Sequence, residues 1–235
     1  VLLALDTSTT HSSIALYDRG VLAEAAWLAG TDQTRQLLPR VRELLRAVGR
    51  SIEDVSSIGV ATGPGSFNGL RVGITTAKAI AIAMNLPVAG VETLRVTAYA
   101  HRLTERHIRP LYDAGRSDVA TGLYRESAEL FATLEPPRIV TLDEALDDSP
   151  PDTLFCGELR PAWRERIVER FGSASPSRSL WPGPAGEPRR AGYLAELAWE
   201  LVQAGLTDDP ATLQPLYLRR PAVTTSARVS TGAAP

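Results

Sequence analysis

Two stretches of the chain combine residue types able to hold an anion or a metal-bound water. The first is Leu5-Asp6-Thr7-Ser8-Thr9-Thr10-His11-Ser12-Ser13. An apolar run ends there on a carboxylate, followed by hydroxyls and the free N–H groups of a turn. That is how one side of a split nucleotide site is built: the aspartate orders a metal-bound water, and the hydroxyls and N–H groups face phosphate. The same residues also read as an Asx-turn capping a hairpin. The second stretch is Gly63-Pro64-Gly65-Ser66-Phe67-Asn68-Gly69-Leu70-Arg71, between an expected strand and an expected helix. Glycine lets backbone approach closely, and a helix N-terminus attracts anions. No Gly-Lys-Ser/Thr follows, so this is not a Walker loop, and the spacing does not fit the dinucleotide fingerprint. A helix start that needs glycine for packing is the plainer reading. The candidate nucleotide or phosphate site, vestigial in character, comprises Asp6, Thr7, Ser8, Gly63, Gly65, Ser66 and Asp113.

Asp113 enters because the second half echoes the first. Leu16-Tyr17 lies ten and eleven residues after Asp6, and Leu123-Tyr124 lies ten and eleven after Asp113. Both aspartates end an apolar strand and precede a polar turn, which points to two copies of one unit. Other chemistry finds little support. Of the three histidines, His11 sits in a turn, and His101 and His107 are too far apart to share a helix face. Cys156 is the one cysteine, so no intrachain disulfide forms, and its apolar surroundings read as core. No metal site is expected. No Gly-x-Ser-x-Gly elbow occurs. The acidic run Asp143, Glu144, Asp147 and Asp148 reads as a solvated surface.

The elements that must position these residues follow from periodicity. Residues 1–5 read as a buried strand, 12–17 and 21–28 as strands joined through Asp18-Arg19-Gly20. Leu37, Leu38, Val41, Leu44, Leu45 and Val48 make the stripe of a helix over about 34–48, which requires Pro39 to lie in its first turn. Arg35, Arg42, Arg46 and Arg50 form a charged arc beside the stripe, read as solvated. A strand over 57–61 and a helix to about Met84 follow, then a strand over 87–91 and a helix over 92–103. Along the second helix Gly69, Gly73, Ala77 and Ala81 form a small-residue ridge four apart. The helix is apolar around most of its circumference, so it is expected to serve both the core and a second subunit. The fold class is α/β, in two lobes: 1–104 with the order βββαβαβα, and a less regular 105–220. Pro136-Pro137 and 147–151 read as connections, 161–170 and 189–204 as helices, 173–188 as a Ser/Pro/Gly-rich loop, and 221–235 as a tail.

At 235 residues, 44% hydrophobic and 22% charged, with a formal charge of −2, the chain has no overall basic field to draw it onto nucleic acid or anionic lipid. Nothing approaches the roughly 20 apolar residues of a membrane span. No secretory leader is seen ahead of Val1-Leu2-Leu3-Ala4-Leu5, and a cytoplasmic location is expected.

Asp6-Thr7-Ser8, Leu37-Leu38-Pro39, the run from Gly63 to Gly73, Pro87-Val88-Ala89-Gly90-Val91 and Pro215-Leu216-Tyr217-Leu218-Arg219 resemble the TsaB, or YeaZ, family. The resemblance is close through about residue 100 and looser beyond. It implies a duplicated actin/Hsp70/sugar-kinase (ASKHA, RNase H-like) fold, each lobe a mixed sheet flanked by helices. It implies a non-catalytic subunit needed to form N6-threonylcarbamoyladenosine at position 37 of tRNAs reading codons that start with A. The implied partners are a TsaD-like paralogue, which performs the transfer with a metal-binding histidine motif that this chain lacks, and a TsaE-like ATPase. A homodimer forms when the subunit is alone, and tRNA is met through the complex. No intrinsic cofactor is implied; ATP or ADP belongs at the interface with the partner complex. The implied subunit interface is Leu37, Leu38, Val41, Leu45, Gly69, Gly73, Ala77 and Ala81. The chain departs from the family at Asp32-Gln33-Thr34, where His-Ser is usual, at Asn68, where Thr is common, and at Asp113-Ala114-Gly115-Arg116. A kinase or ATPase acting alone through Asp6 and Asp113 is the competing reading. A peptidase label attached to the superfamily finds no triad, metal motif or reactive cysteine.

Overall fold

The structure is a computed structural model that describes residues 1–127, 131–172, 179–183, 186 and 189–219. The expected tail over 221–235 lies outside the described residues, as does most of the 173–188 loop.

The opening strands are β1 (Leu2–Asp6), β2 (His11–Tyr17) and β3 (Val21–Leu28). Helix α1 (Gln33–Ala47), β4 (Ser57–Gly63), α2 (Phe67–Met84), β5 (Val88–Glu92) and α3 (Thr93–Tyr99) complete the first unit. Strand order is β3-β2-β1-β4-β5. β1 pairs antiparallel with β2, Leu5 opposite Ile14, and parallel with β4, Leu2 opposite Ser57. The second unit holds β6 (Ile108–Gly115), β7 (Asp118–Glu126), β8 (Phe131–Thr141), α4 (Leu142–Asp147), β9 (Leu154–Gly157) and α5 (Pro161–Phe171). Its sheet runs β8-β7-β6-β9, with β6 antiparallel to β7 and parallel to β9. The pairing pattern around β1 thus recurs around β6, and Asp6 and Asp113 lie on equivalent strands.

Alternation along β1 sorts the core. Leu3 and Leu5 pack with Leu37, Val41 and Leu45 of α1 and Ile74, Ala77 and Ala81 of α2. Leu2 and Ala4 face the other way, into a core shared with α3, α6 (Ala191–Gln203) and the inner face of the second sheet, including Tyr112, Tyr124 and Cys156. α4 and α5 cover the outer face of that sheet through Phe155, Leu146 and Ile167. The molecule is therefore layered: helices, sheet, helices, sheet, helices.

Three expectations change here. Pro39 lies inside α1 and not in its first turn; its side chain is exposed, and without an N–H it gives up one backbone hydrogen bond of the helix. Pro136 and Pro137 are not a connection but part of β8, an edge strand, where a residue without an N–H donor is tolerated. The late helix α6, expected in the second lobe, packs across β1, β2, β4 and β5 of the first sheet. The chain continues along that lobe, with Asp208 bridging Val88 and Lys78 Nζ donating to the carbonyls of Ala211 and Leu213. The second lobe therefore ends before α6 and does not run to residue 220.

Candidate functional site: a tied turn, a cleft and an exposed helix face

The two chemistry-bearing stretches meet, and they meet by bonding to each other. A Cβ on Gly65 would lie 2.2 Å from the Ser8 carbonyl oxygen, and one on Gly69 would lie 2.1 Å from that of Thr7. Only glycine lets α2 and its leading loop reach the β1–β2 turn so closely. Ser66 N–H donates to the Ser8 carbonyl at 2.6 Å, and Thr7 Oγ1 donates to the Gly69 carbonyl at 2.7 Å. Ser66 also caps α2, its hydroxyl accepting from Gly69 N–H.

Several of the groups expected to face phosphate bond within the turn instead. Ser8 donates to Asp6 Oδ1 from both N–H, at 3.0 Å, and Oγ, at 2.6 Å. His11 N–H donates to Thr9 Oγ1 at 3.2 Å. Gln33, in the stretch Asp32-Gln33-Thr34, is buried and donates its amide to the carbonyls of Thr9 and Gly30. The Ser8-to-Asp6 bonds are those of an Asx-turn.

Asp6 is the pivot. It is 1% exposed, and its second oxygen accepts both Nε, at 2.7 Å, and Nη2 of Arg189. Arg189 Nη1 donates at 2.6 Å to the Tyr112 hydroxyl, which also shares a 2.9 Å hydrogen bond with Thr97. Burial works against the Arg189 charge, but the Asp6 carboxylate outweighs it and holds the guanidinium above its ordinary pKa. Burial also pushes the Tyr112 phenol up to about 12, so it stays protonated. The aspartate that would order a metal-bound water is neutralised by an arginine, and that arginine ties β1 of one lobe to β6 of the other.

Asp113 does not join this cluster. It is exposed, ion-paired to Arg160, and accepts from Gly115 N–H at 3.1 Å. It lines an open cleft of about 580 Å³ between the lobes, together with Gly65, Phe67, Arg116, Leu216 and Arg219. Among the described residues no group of three His, Cys, Asp or Glu side chains is placed to hold a metal.

Seven of the eight interface candidates point inward. Leu37, Val41, Leu45, Ala77 and Ala81 are at most 3% exposed; Gly69 and Gly73 abut Thr7. The small-residue ridge therefore serves the turn and the sheet, not a second subunit. Leu38, 51% exposed, is the candidate on the surface, where it lines a shallow trough with the half-buried Ile80 of α2; Ile82, 62% exposed, lies on another side of α2, and Phe67 stacks on Tyr217. Sequence reasoning missed Arg189 and the part Gln33 plays in the turn.

Two copies of an RNase H-like unit with a cleft between them define a protein of the actin, Hsp70 and sugar-kinase fold class, here with its leading aspartate locked by an arginine. A family model described as TsaD, tRNA N6-adenosine threonylcarbamoyltransferase, matches residues 8–158. The tRNA threonylcarbamoyladenosine biosynthesis protein TsaB of Bacillus subtilis (strain 168) is 32% identical over 176 residues, covering 73% of this chain and 77% of that protein. The Escherichia coli (strain K12) protein of the same name is 37% identical over 97 residues, 41% of this chain and 42% of its own length. A solved structure of YeaZ from Pseudomonas aeruginosa superposes with a TM-score of 0.74 at 25% identity, over 92% of this chain and 99% of that one. The chain belongs to the TsaB (YeaZ) family, within the broader group that the TsaD model describes.

Proposed function

We propose that the chain is a subunit, without chemistry of its own, of the machinery that forms N6-threonylcarbamoyladenosine in tRNA. It acts in the cytoplasm by docking on a TsaD-like transferase through the outer face of α1 and α2. A TsaE-like ATPase joins them, and tRNA and any ATP or ADP are met in the assembled complex. The relatives' names supply the process. The single observation that carries the role is the Asp6–Arg189 pair: the one carboxylate positioned to work at the head of β1 is buried and already neutralised. What remains available is surface, and the exposed Leu38 of α1 with Ile80 of α2 beside it fits a surface that another protein covers.

The kinase or ATPase reading requires Asp6 to face a ligand, and its second oxygen faces Arg189 instead. Calorimetry of the isolated chain with magnesium and ATP separates the two readings. Negligible binding is expected; tight binding with turnover abolished by Asp6→Asn would restore the enzyme reading. Co-elution with the TsaD-like protein of the same cell tests the docking directly.

A further inference from the structure

Beyond α6 the chain crosses from the first lobe to the second and lays Tyr217 on the head of α2. Leu216 N–H donates to the Thr62 carbonyl at 2.8 Å, and Arg219 donates to the Ala114 carbonyl at 3.4 Å and pairs with Asp118. Between these anchors the Tyr217 ring stacks on Phe67, with centroids 5.4 Å apart. Tyr217 is nevertheless 40% exposed and Phe67 41%. The two rings line both the inter-lobe cleft and a second groove of about 440 Å³ beside α2.

The charge around these rings is one-sided. Arg116 lines the cleft, and Arg71 and Lys78 line the groove. None of the three has a carboxylate partner among the described residues. Arg71 lies over the Phe67 ring at 5.1 Å, and Lys78 donates to the carbonyls of Ala211 and Leu213. The neighbouring acids are already matched, Asp113 by Arg160 and Asp118 by Arg219. A chain with a formal charge of −2 thus gathers three uncompensated cations around one exposed aromatic pair.

We propose that this surface binds single-stranded RNA, with a base stacked on Tyr217 and phosphates against Arg71, Arg116 and Lys78. Unpaired cations supply phosphate contacts. Exposed rings and guanidinium planes take up bases that loops hold unstacked. An acidic protein segment would match the charges alone; the exposed ring set among them favours RNA. The inference rests on the reading that the assembled complex meets tRNA, and it assigns part of that contact to this chain, away from Leu38.

The test measures binding of unmodified tRNA to the isolated full chain across a salt series. At about 0.05 M NaCl the Kd should be about 10⁻⁴ M or tighter. Arg71→Gln/Arg116→Gln should weaken binding and reduce the slope of log K against log salt by about 1.4, for two phosphate contacts at about 0.7 each. Tyr217→Leu should weaken binding at least about fivefold and leave the slope unchanged, because stacking releases no counterions. No binding by the wild-type chain in that range, or affinity and slope unchanged in both variants, would overturn the proposal. Binding of the purified TsaD-like protein of the same cell is followed in parallel. It should stay within about twofold of wild type in these variants and be lost in Leu38→Glu. Its loss in the arginine variant at unchanged tRNA affinity would overturn the RNA surface in favour of a protein contact. Partner binding undiminished in Leu38→Glu would overturn the docking reading and leave the tRNA result standing. Thermal melts of each variant establish that it is folded.

Discussion

Removing the Arg189 guanidinium leaves the Asp6 carboxylate buried beside Ser8 with its second oxygen unpaired. Breaking one partner of a buried ion pair typically costs about 3–5 kcal/mol, whereas replacing both is far less costly. Arg189→Met should therefore destabilise the chain by roughly that amount in urea denaturation, and Asp6→Asn/Arg189→Met should recover a substantial part of it. Equal losses in the single and double variants would show that the pair does not carry the coupling. His101 gives a second test at this scale. It lines a cavity of about 240 Å³ beside Arg189, and burial lowers its pKa below 6.5. The unfolded chain then takes up the proton first, so stability should decline as pH falls through 6.5 towards the lower folded value. His101→Gln should flatten that part of the stability–pH curve, and an unchanged slope would place its origin elsewhere. Asp6 was legible in the sequence because it closes an apolar strand ahead of a hydroxyl-rich turn. Its partner was not: Arg189 lies 183 residues away, at the start of the helix expected over 189–204, and nothing in that spacing points it at Asp6.

The contrast between Leu38 and Ala77 belongs to the scale of the elements. Leu38→Glu puts a charge on a half-exposed side chain, and the monomer should melt as before while pairing with the transferase is lost. Ala77→Asp puts one into a fully buried position between α2 and the first sheet. An unpaired buried charge there should cost more than about 4 kcal/mol and unfold the chain before any interface is tested. A folded, pairing-deficient Ala77→Asp would show that the ridge faces a partner after all. The helices themselves were legible from their apolar spacing, as was the order βββαβαβα. Which side of α2 faces inward was not, because that helix is apolar over most of its circumference and periodicity cannot choose a face. The glycines settle it in space: Gly69 and Gly73 must lie against Thr7 because no side chain fits there. Pro136-Pro137 was misread for a related reason, since proline breaks an inner strand but not an edge.

At the scale of the molecule, the duplication was visible in the spacing from each aspartate to its Leu-Tyr pair, and it recurs in the pairing around β1 and β6. The return of α6 to the first sheet was not, because an amphipathic helix records that it has a core to cover, not which one. That return brings Arg189, just ahead of α6, to Asp6, so the chain's own topology pairs the carboxylate that ends β1. The proposed lack of chemistry and the proposed docking are tested together by reconstituting tRNA modification from purified parts. Given the TsaD-like and TsaE-like proteins, tRNA and threonylcarbamoyl-adenylate, N6-threonylcarbamoyladenosine should appear only when this chain is added and should be lost with Leu38→Glu. Modification by the chain unaided, or undiminished modification when it is left out, would contradict them.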